Sequence, residues 1–317
     1  TADGDVLENA PAAFTLHLDM PVGADMLVTL SNGATVTIPA GATSAAYVNG
    51  TQGDDVYIDP SSVSVSITSA VPQSPIMAAV MVDDDPAVVD VTDTIDPVIV
   101  RLSTTPSTSE DGGSIVYSVQ LEKTSDGTPV TTTNAITVTL TGGQVIVIPA
   151  GSSSADSDPV PVNRDDVWVE VDAITNRIAS ATEANAGTPG AFENLTFDDS
   201  QVSTQILDDV DPVTVGIYTN DGNRAPGDPA YFIIRIDQPL DSDLLVSLSN
   251  GATVTIAAGS TEQPYTYEDP PLGDTTVSID SAVVTGKTFE SLTLSPSSAT
   301  VTDPPSDDDH FPTLDKN

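Results

Sequence analysis

Carboxylates are the side chains that recur in this chain at spacings suited to chemistry. Asp54–Asp55 and Asp165–Asp166 each stand just ahead of an aromatic residue. Glu110–Asp111, Asp198–Asp199 and Asp208–Asp209 with Asp211 form further groups. Asp93 and Asp96 are spaced across "VTDTIDPVIVRLS" (Val91–Ser103). Glu8, Asp241, Asp243, Asp274 and Asp303 stand in related loop sequences. Two carboxylates about 4 Å apart repel by roughly 1 kcal/mol even in water, and more near a protein surface. A cation placed between them reverses that sign. Calcium takes six to eight oxygen ligands, carbonyls as well as carboxylates, in irregular geometry. Magnesium demands an octahedron and keeps its water. Acidic loops with ample backbone carbonyls therefore point to Ca2+, and all eighteen residues above are candidate ligands.

Other chemistries have little to work with. The chain has no cysteine and two histidines, His17 and His310, so zinc and copper centres are not expected. His17 in "FTLHLD" reads as an exposed strand residue. No Gly-x-Ser-x-Gly elbow and no phosphate-binding loop occurs, so the chain is not expected to be an enzyme. With 47 Asp and Glu against 8 Lys and Arg, the formal charge is −39. That field repels nucleic acid and anionic lipid, and no apolar run approaches membrane-spanning length. It also suits a halophilic protein, which molar KCl rather than millimolar calcium would stabilise.

The elements that must hold these loops are legible in an internal repeat. "VTLSNGATVTIPAG" (Val28–Gly41) returns as "VTLTGGQVIVIPAG" (Val138–Gly151) and "VSLSNGATVTIAAG" (Val246–Gly259), 110 and then 108 residues on. "GDDVYI" (Gly53–Ile58) returns as "RDDVWV" (Arg164–Val169). "AFENLT" (Ala191–Thr196) matches "TFESLT" (Thr288–Thr293), and "ILDDVDPVTVGIY" (Ile206–Tyr218) matches the Val91 stretch. Val28, Leu30, Val36 and Ile38 alternate with polar residues, the period of a strand with one buried face. Asn32-Gly33 between them reads as a two-residue hairpin turn with φ > 0 at both positions. Each copy reads as a seven-stranded antiparallel sandwich of immunoglobulin type. The domains expected are residues 1–95, 96–209 and 210–303, with an acidic tail over 304–317. The middle copy carries a seven-residue insertion within "KTSDGTPVTTTNA" (Lys123–Ala135) and the single tryptophan, Trp168, read as a core aromatic on a strand.

Successive loops of such a sandwich alternate between its two ends. One end then collects Glu8, Asp54, Asp55, Asp93 and Asp96 in the first copy. In the second it collects Glu110, Asp111, Asp165, Asp166, Asp208, Asp209 and Asp211. The opposite ends offer Glu122, Asp126, Asp198 and Asp199 in the second copy, and Asp237, Asp241 and Asp243 in the third. Stacked end to end, carboxylates would face carboxylates across each joint.

The Val91–Ser103 stretch, the three hairpins and the acidic "DDVYIDPSSVSVSI" segment resemble the tandem repeats of giant RTX adhesins of Gram-negative bacteria. The resemblance implies immunoglobulin-like extender domains with calcium-rigidified linkers. It also implies type I secretion, a place on the bacterial cell surface, and a monomeric rod whose partners are calcium and its neighbouring repeats. Such a rod projects a distal ligand-binding region for adhesion and biofilm formation. The alternative is a cadherin-like or carbohydrate-binding module that itself contacts a ligand. Aromatic residues total 14, with Tyr265 and Tyr267 the best exposed pair for a sugar.

Overall fold

The alternating Val and Thr runs form strands that bury one face, and no helix occurs among the described residues, which are 1–74, 80–219 and 222–303 in this computed structural model. The expected acidic tail and His310 lie outside them. The chain divides into two compact units. The first comprises residues 1–105, 116–160 and 175–203. The second comprises residues 106–115, 161–174 and the described residues from Thr204 onward.

In the first unit, Met26–Leu30 buries Met26, Val28 and Leu30 and pairs antiparallel with Thr35–Ile38 and Ile67–Pro72. Ala12–His17 pairs with Ser44–Asn49, and its last residue, His17, is exposed. Ser61–Val65 pairs antiparallel with Ala87–Thr92, whose other edge takes Val6–Leu7 in parallel. Phe14, Met26, Val28, Leu30, Ile38, Val65 and Val89 close the core between these layers. From the second copy, Pro97–Thr104 lies between Tyr117–Lys123, antiparallel, and Asn194–Phe197, parallel. Ile136–Leu140 pairs with Val145–Ile148 and Ile178–Glu183.

The second unit holds the whole third copy. Pro212–Thr219 is flanked by Ala230–Ile236 and, in parallel, by Ser291–Leu294. Glu262–Tyr267 completes that four-stranded sheet. A second sheet runs Thr253–Ile256, Leu244–Leu248, Thr275–Val283, Ser298–Val301. Val215, Ile217, Phe232 and Ile234 from one sheet meet Val246, Leu248, Val277 and Ile279 from the other. The fold is thus an all-β sandwich of the expected class. Its hairpins are antiparallel, and parallel pairings appear where a copy's opening strand lies beside a late one.

The hairpin turn differs from expectation. Gly33 N donates to Leu30 O, Leu30 N donates to Ala34 O, and the loop is Ser31–Asn32–Gly33. Only Gly33 has φ > 0, at 83°. This is a three-residue loop with glycine at the left-handed position, which lets Asn32 keep ordinary backbone angles. Asn32 Oδ1 accepts from Ala34 N at 3.1 Å, and its amide donates to Tyr47 Oη at 2.7 Å. The other two copies close with the same backbone hydrogen bonds at Gly143 and Gly251.

Candidate metal centres

The parallel pairing of Val6–Leu7 with Ala87–Thr92 carries Glu8 to the place where "TDTID" leaves the sheet, and Glu8 N donates to Thr92 O at 3.0 Å. The Glu8 side chain is 4% exposed. Its Oε1 accepts from the Thr94 backbone N–H and hydroxyl, each at 2.9 Å, and that hydroxyl lies 2.7 Å from Asp54 Oδ1. Asp93 Oδ2 accepts from Asp59 N at 2.9 Å. One oxygen each of Glu8, Asp59 and Asp93 lies within 4.8 Å of the others. Glu193, at the start of Asn194–Phe197 in the second copy, accepts from Asp96 N at 2.6 Å through Oε2. Glu8 Oε2, Asp93 Oδ1 and Glu193 Oε1 are then left buried with no hydrogen-bond partner. A buried acceptor with no donor costs about 1–3 kcal/mol, and more when it is charged.

The second unit builds the same arrangement from the second and third copies. Glu110, also 4% exposed, donates through its N–H to Leu207 O at 3.1 Å and accepts from Asp209 N at 3.1 Å through Oε1. Asp208 Oδ2 takes a longer contact from Glu170 N, 3.4 Å, and Glu290 Oε2 accepts from Asp211 N at 2.5 Å. Glu110, Asp208 and Glu290 form one group with oxygens within 4.8 Å, and Glu110, Asp165 and Asp209 form another. Asp208 Oδ1 and Glu290 Oε1 are buried without partners. Oxygens bound to one calcium at about 2.4 Å can be up to about 4.8 Å apart, so both groups fit that ion's donor set and span. The orphaned oxygens supply the ligands such an ion would need.

Beside each acidic group an aromatic pair clasps two copies. Tyr57 stacks on Phe192 with centroids 5.4 Å apart, and Trp168 meets Phe289 at 4.6 Å. Backbone hydrogen bonds frame both pairs, Ile58 N to Ala191 O and Glu193 N to Val56 O in one, Val169 N to Thr288 O and Glu290 N to Val167 O in the other. Asp55 Oδ1 and Asp166 Oδ1 accept from Tyr57 N and Trp168 N, so one oxygen of each shapes the turn that presents the aromatic. The Tyr57 hydroxyl donates to Thr131 O, which gives the insertion of the middle copy a structural task. Trp168 is buried as expected, but in a core of third-copy residues rather than in a strand of its own copy. It sits on an isolated bridge to Phe289 with Lys287 Nζ 4.7 Å from its ring centre.

Burial, followed by the charges of Glu8, Asp96 and Asp93, pushes the Glu193 carboxyl up to about 7. Burial, followed by Asp208, Glu290 and Asp209, likewise pushes Glu110 up to about 7. Burial raises Asp59 and Glu290 too, and a hydrogen bond shared with Asp211 raises Asp165. Glu110 and Glu193 bind their protons more tightly folded than unfolded. Without divalent cations, stability is therefore expected to fall as pH rises from the ordinary 4.5 toward about 7. Melting in chelator checks this: the midpoint at about pH 5.5 should exceed that at about pH 7.5.

The residues expected to face these groups from the following copies are engaged elsewhere. Arg101 binds Glu122 at 2.7 Å and Asp198 at 2.9 Å. Lys287 binds Asp241 at 2.6 Å, and Asp243 Oδ1 accepts from Ala258 N at 2.8 Å. Hydrogen bonds from Ser200 hold Asp198 below the usual carboxylate range, and the bond from Lys287 does the same for Asp241. Asp111 and Asp199 are exposed. The carboxylates that do arrive from the following copy are Glu193 and Glu290, with Asp59 a further addition from the first. Only recurrence between copies marks them, in the Phe-Glu of "AFENLT" and "TFESLT" and the acid two residues beyond Tyr57 and Trp168. In the third copy, Asp274 Oδ1 accepts from Asp303 N at 2.9 Å, and Asp303 faces Arg224. Asp83, Asp84 and Asp85 also lie together but are exposed.

No curated protein matches the chain. Among solved structures, the calcium-binding domain CBD12 of CALX1.1 is 12% identical over 64% of this chain and 97% of its own, with a TM-score of 0.24. A tandem from titin is 10% identical over 92% of this chain and 95% of its own, TM-score 0.19. The SGBP-B protein of the Bacteroides ovatus mixed-linkage glucan utilization locus, in complex with a mixed-linkage heptasaccharide, is 12% identical over 95% of this chain and 65% of its own, TM-score 0.17. The family model described as LapA domain matches three times, over residues 1–94, 96–209 and 211–304. Three matches that cover nearly the whole length, over sandwich copies with recurrent acidic ends, make this chain a member of the LapA-domain family, the repeats of a large adhesin.

Proposed function

We propose that these repeats are extender domains of an RTX-type cell-surface adhesin, that calcium at the joints stiffens them, and that they project a distal ligand-binding region for adhesion and biofilm formation. The observation that carries the reading is the twice-built acidic group. Glu290 of the following copy closes the second group, Glu193 of the following copy stands beside the first and accepts from Asp96 N, and in both cases buried oxygens are left without a donor. Glu8, Asp59, Asp93 and Glu193 would hold an ion at the first joint. Glu110, Asp165, Asp208, Asp209 and Glu290 would hold one or more at the second. The bound ion supplies charge neutralisation and nothing catalytic. Glu193 and Glu290 come from the following copy, so an ion that engages them favours the arrangement in which the copies are docked and disfavours every bent one. The absence of cysteine fits this design, because metal replaces disulfides as the staple of small extracellular domains.

Thermal melting with millimolar calcium and with EDTA tests the reading. Calcium at about 100 times its dissociation constant adds roughly 2.7 kcal/mol for each site that exists only in the fold. Small-angle scattering on the same samples should show a larger maximum dimension with calcium. Unchanged midpoints and dimensions would sink the proposal. Stabilisation by molar KCl alone would point to halophilic adaptation instead, and calcium-dependent self-association would point to a cadherin-like contact.

A further inference from the structure

The third copy repeats the backbone of the acidic end but changes its chemistry at one residue. Glu8 N donates to Thr92 O, Glu110 N to Leu207 O, and Arg224 N to Thr302 O at 3.0 Å, so Arg224 stands where the other copies have their buried glutamate. Asp303 follows Thr302 as Asp93 follows Thr92 and Asp208 follows Leu207. Its Oδ2 accepts from Gly273 N at 3.0 Å, as Asp93 and Asp208 accept from Asp59 N and Glu170 N. Arg224 is 7% exposed and points inward. Its guanidinium donates to the carbonyls of Asp228, Pro271 and Gly273 at 3.0, 2.6 and 3.0 Å and to Thr275 Oγ1 at 3.2 Å, with Nη2 3.7 Å from Asp303 Oδ2. Converging carbonyl and carboxylate oxygens are what a hard cation would use; here a guanidinium takes the three carbonyls and lies near Asp303, whose Oδ1, like Arg224 Nε, is left buried without a partner.

We propose that Arg224 is the built-in cation of the third acidic end, so that this end needs no divalent ion. The residue at the Glu8, Glu110 and Arg224 position then assigns each end to metal or to arginine. The inference rests in part on the reading of the first two ends as calcium sites. It adds a claim that reading does not make, that calcium-sensitive joints and a calcium-insensitive end coexist in one chain. A single Glu-to-Arg exchange suffices for the change because the surrounding oxygens are already in place. The guanidinium is always charged and cannot be chelated away, so this end stays ordered under conditions that loosen the other two.

Calcium titration of the full chain by calorimetry, with terbium luminescence as a second readout, tests this on the unaltered chain and its variants. Asp303→Asn is expected to bind the same number of calcium ions as the unaltered chain, whereas Asp93→Asn or Asp208→Asn should bind fewer. Arg224→Glu is expected to lose melting temperature in EDTA and to regain it in millimolar calcium, which the unaltered third copy would not require. Arg224→Gln should lose stability in both conditions alike. Loss of an ion on Asp303→Asn overturns the proposal, as does an Arg224→Glu chain that calcium does not rescue. If the unaltered chain binds no calcium at all, the reading of the first two joints fails, while calcium rescue of Arg224→Glu still decides the role of Arg224.

Discussion

Glu8→Gln combined with Glu110→Gln is expected to raise the melting temperature in EDTA and to remove more than half of the rise that calcium produces. The opposite signs follow from one change. Each glutamate is buried, accepts a backbone N–H through Oε1, and shares its surroundings with at least two other carboxylates. Charges a little under 5 Å apart at an effective dielectric of about 20 repel by roughly 3 kcal/mol, so an amide relieves the ion-free state. The amide oxygen can still accept from Thr94 N or Asp209 N, which preserves the local shape. With calcium present the same amide is a weaker, uncharged ligand, and roughly 2.7 kcal/mol per site is at stake at 100-fold saturation. For units of this size 1 kcal/mol moves the midpoint by about 2–4 °C, so shifts of several degrees should be read in each direction. Asp198→Asn is the matched control. Its carboxylate is held by Arg101 on the surface, an exposed pair worth about 0–1 kcal/mol, and the calcium response should not change. A double variant that is destabilised equally in both conditions would mean that the two glutamates serve only as hydrogen-bond acceptors.

What was legible in the sequence, and what was not, divides along the range of the interactions. Alternation in Met26–Leu30 and its two counterparts places the buried face correctly, because period-two burial is a local consequence of the pleat. Glu8 and Asp93, and Glu110 with Asp208 and Asp209, come together as the alternation of loops between sandwich ends requires. Glu193 and Glu290 did not stand out, since a lone glutamate after phenylalanine looks like any surface residue. Their role arises only when Tyr57 or Trp168 draws the Phe-Glu pair across the joint. Asp198 and Asp241 looked eligible by position, yet Arg101 and Lys287, two of only eight basic residues, reach exactly those two carboxylates among others. Arg224 shows the same limit in reverse. Nothing in "NRAPGD" announces a substitute for Glu110 until the Arg224 N to Thr302 O bond fixes the alignment.

Trp168→Ala is expected to cost about 3–5 kcal/mol, the range for truncating a buried large aromatic, and to lower the melting transition of the second unit alone. The residue is 4% exposed and packs with Val213–Ile217, Ala230–Ile236 and other third-copy core residues as well as with Phe289. Lys287 covers its ring while pairing with Asp241, so the truncation also removes a cation–π contact worth about 0.5–1 kcal/mol at a site open to solvent. The indole belongs to the segment that carries Asp165 and Asp166, and its N–H backbone group holds Asp166 Oδ1 at 2.8 Å. Losing the ring therefore frees the loop that brings Asp165 to Glu110 and Asp209. Calcium should bind the variant's second joint more weakly and release it faster, while the first joint, clasped by Tyr57 and Phe192, keeps its affinity. Trp168→Phe should recover most of both losses, because a ring at this position can still face Phe289. Differential scanning calorimetry with and without calcium reads the stability change, and calorimetric titration reads the ions. An alanine variant with lowered stability but two unchanged calcium affinities would show that the aromatic clasp and the acidic group act independently. Weakened binding at the second joint alone would show that the hydrophobic contact presets the geometry into which the cation binds.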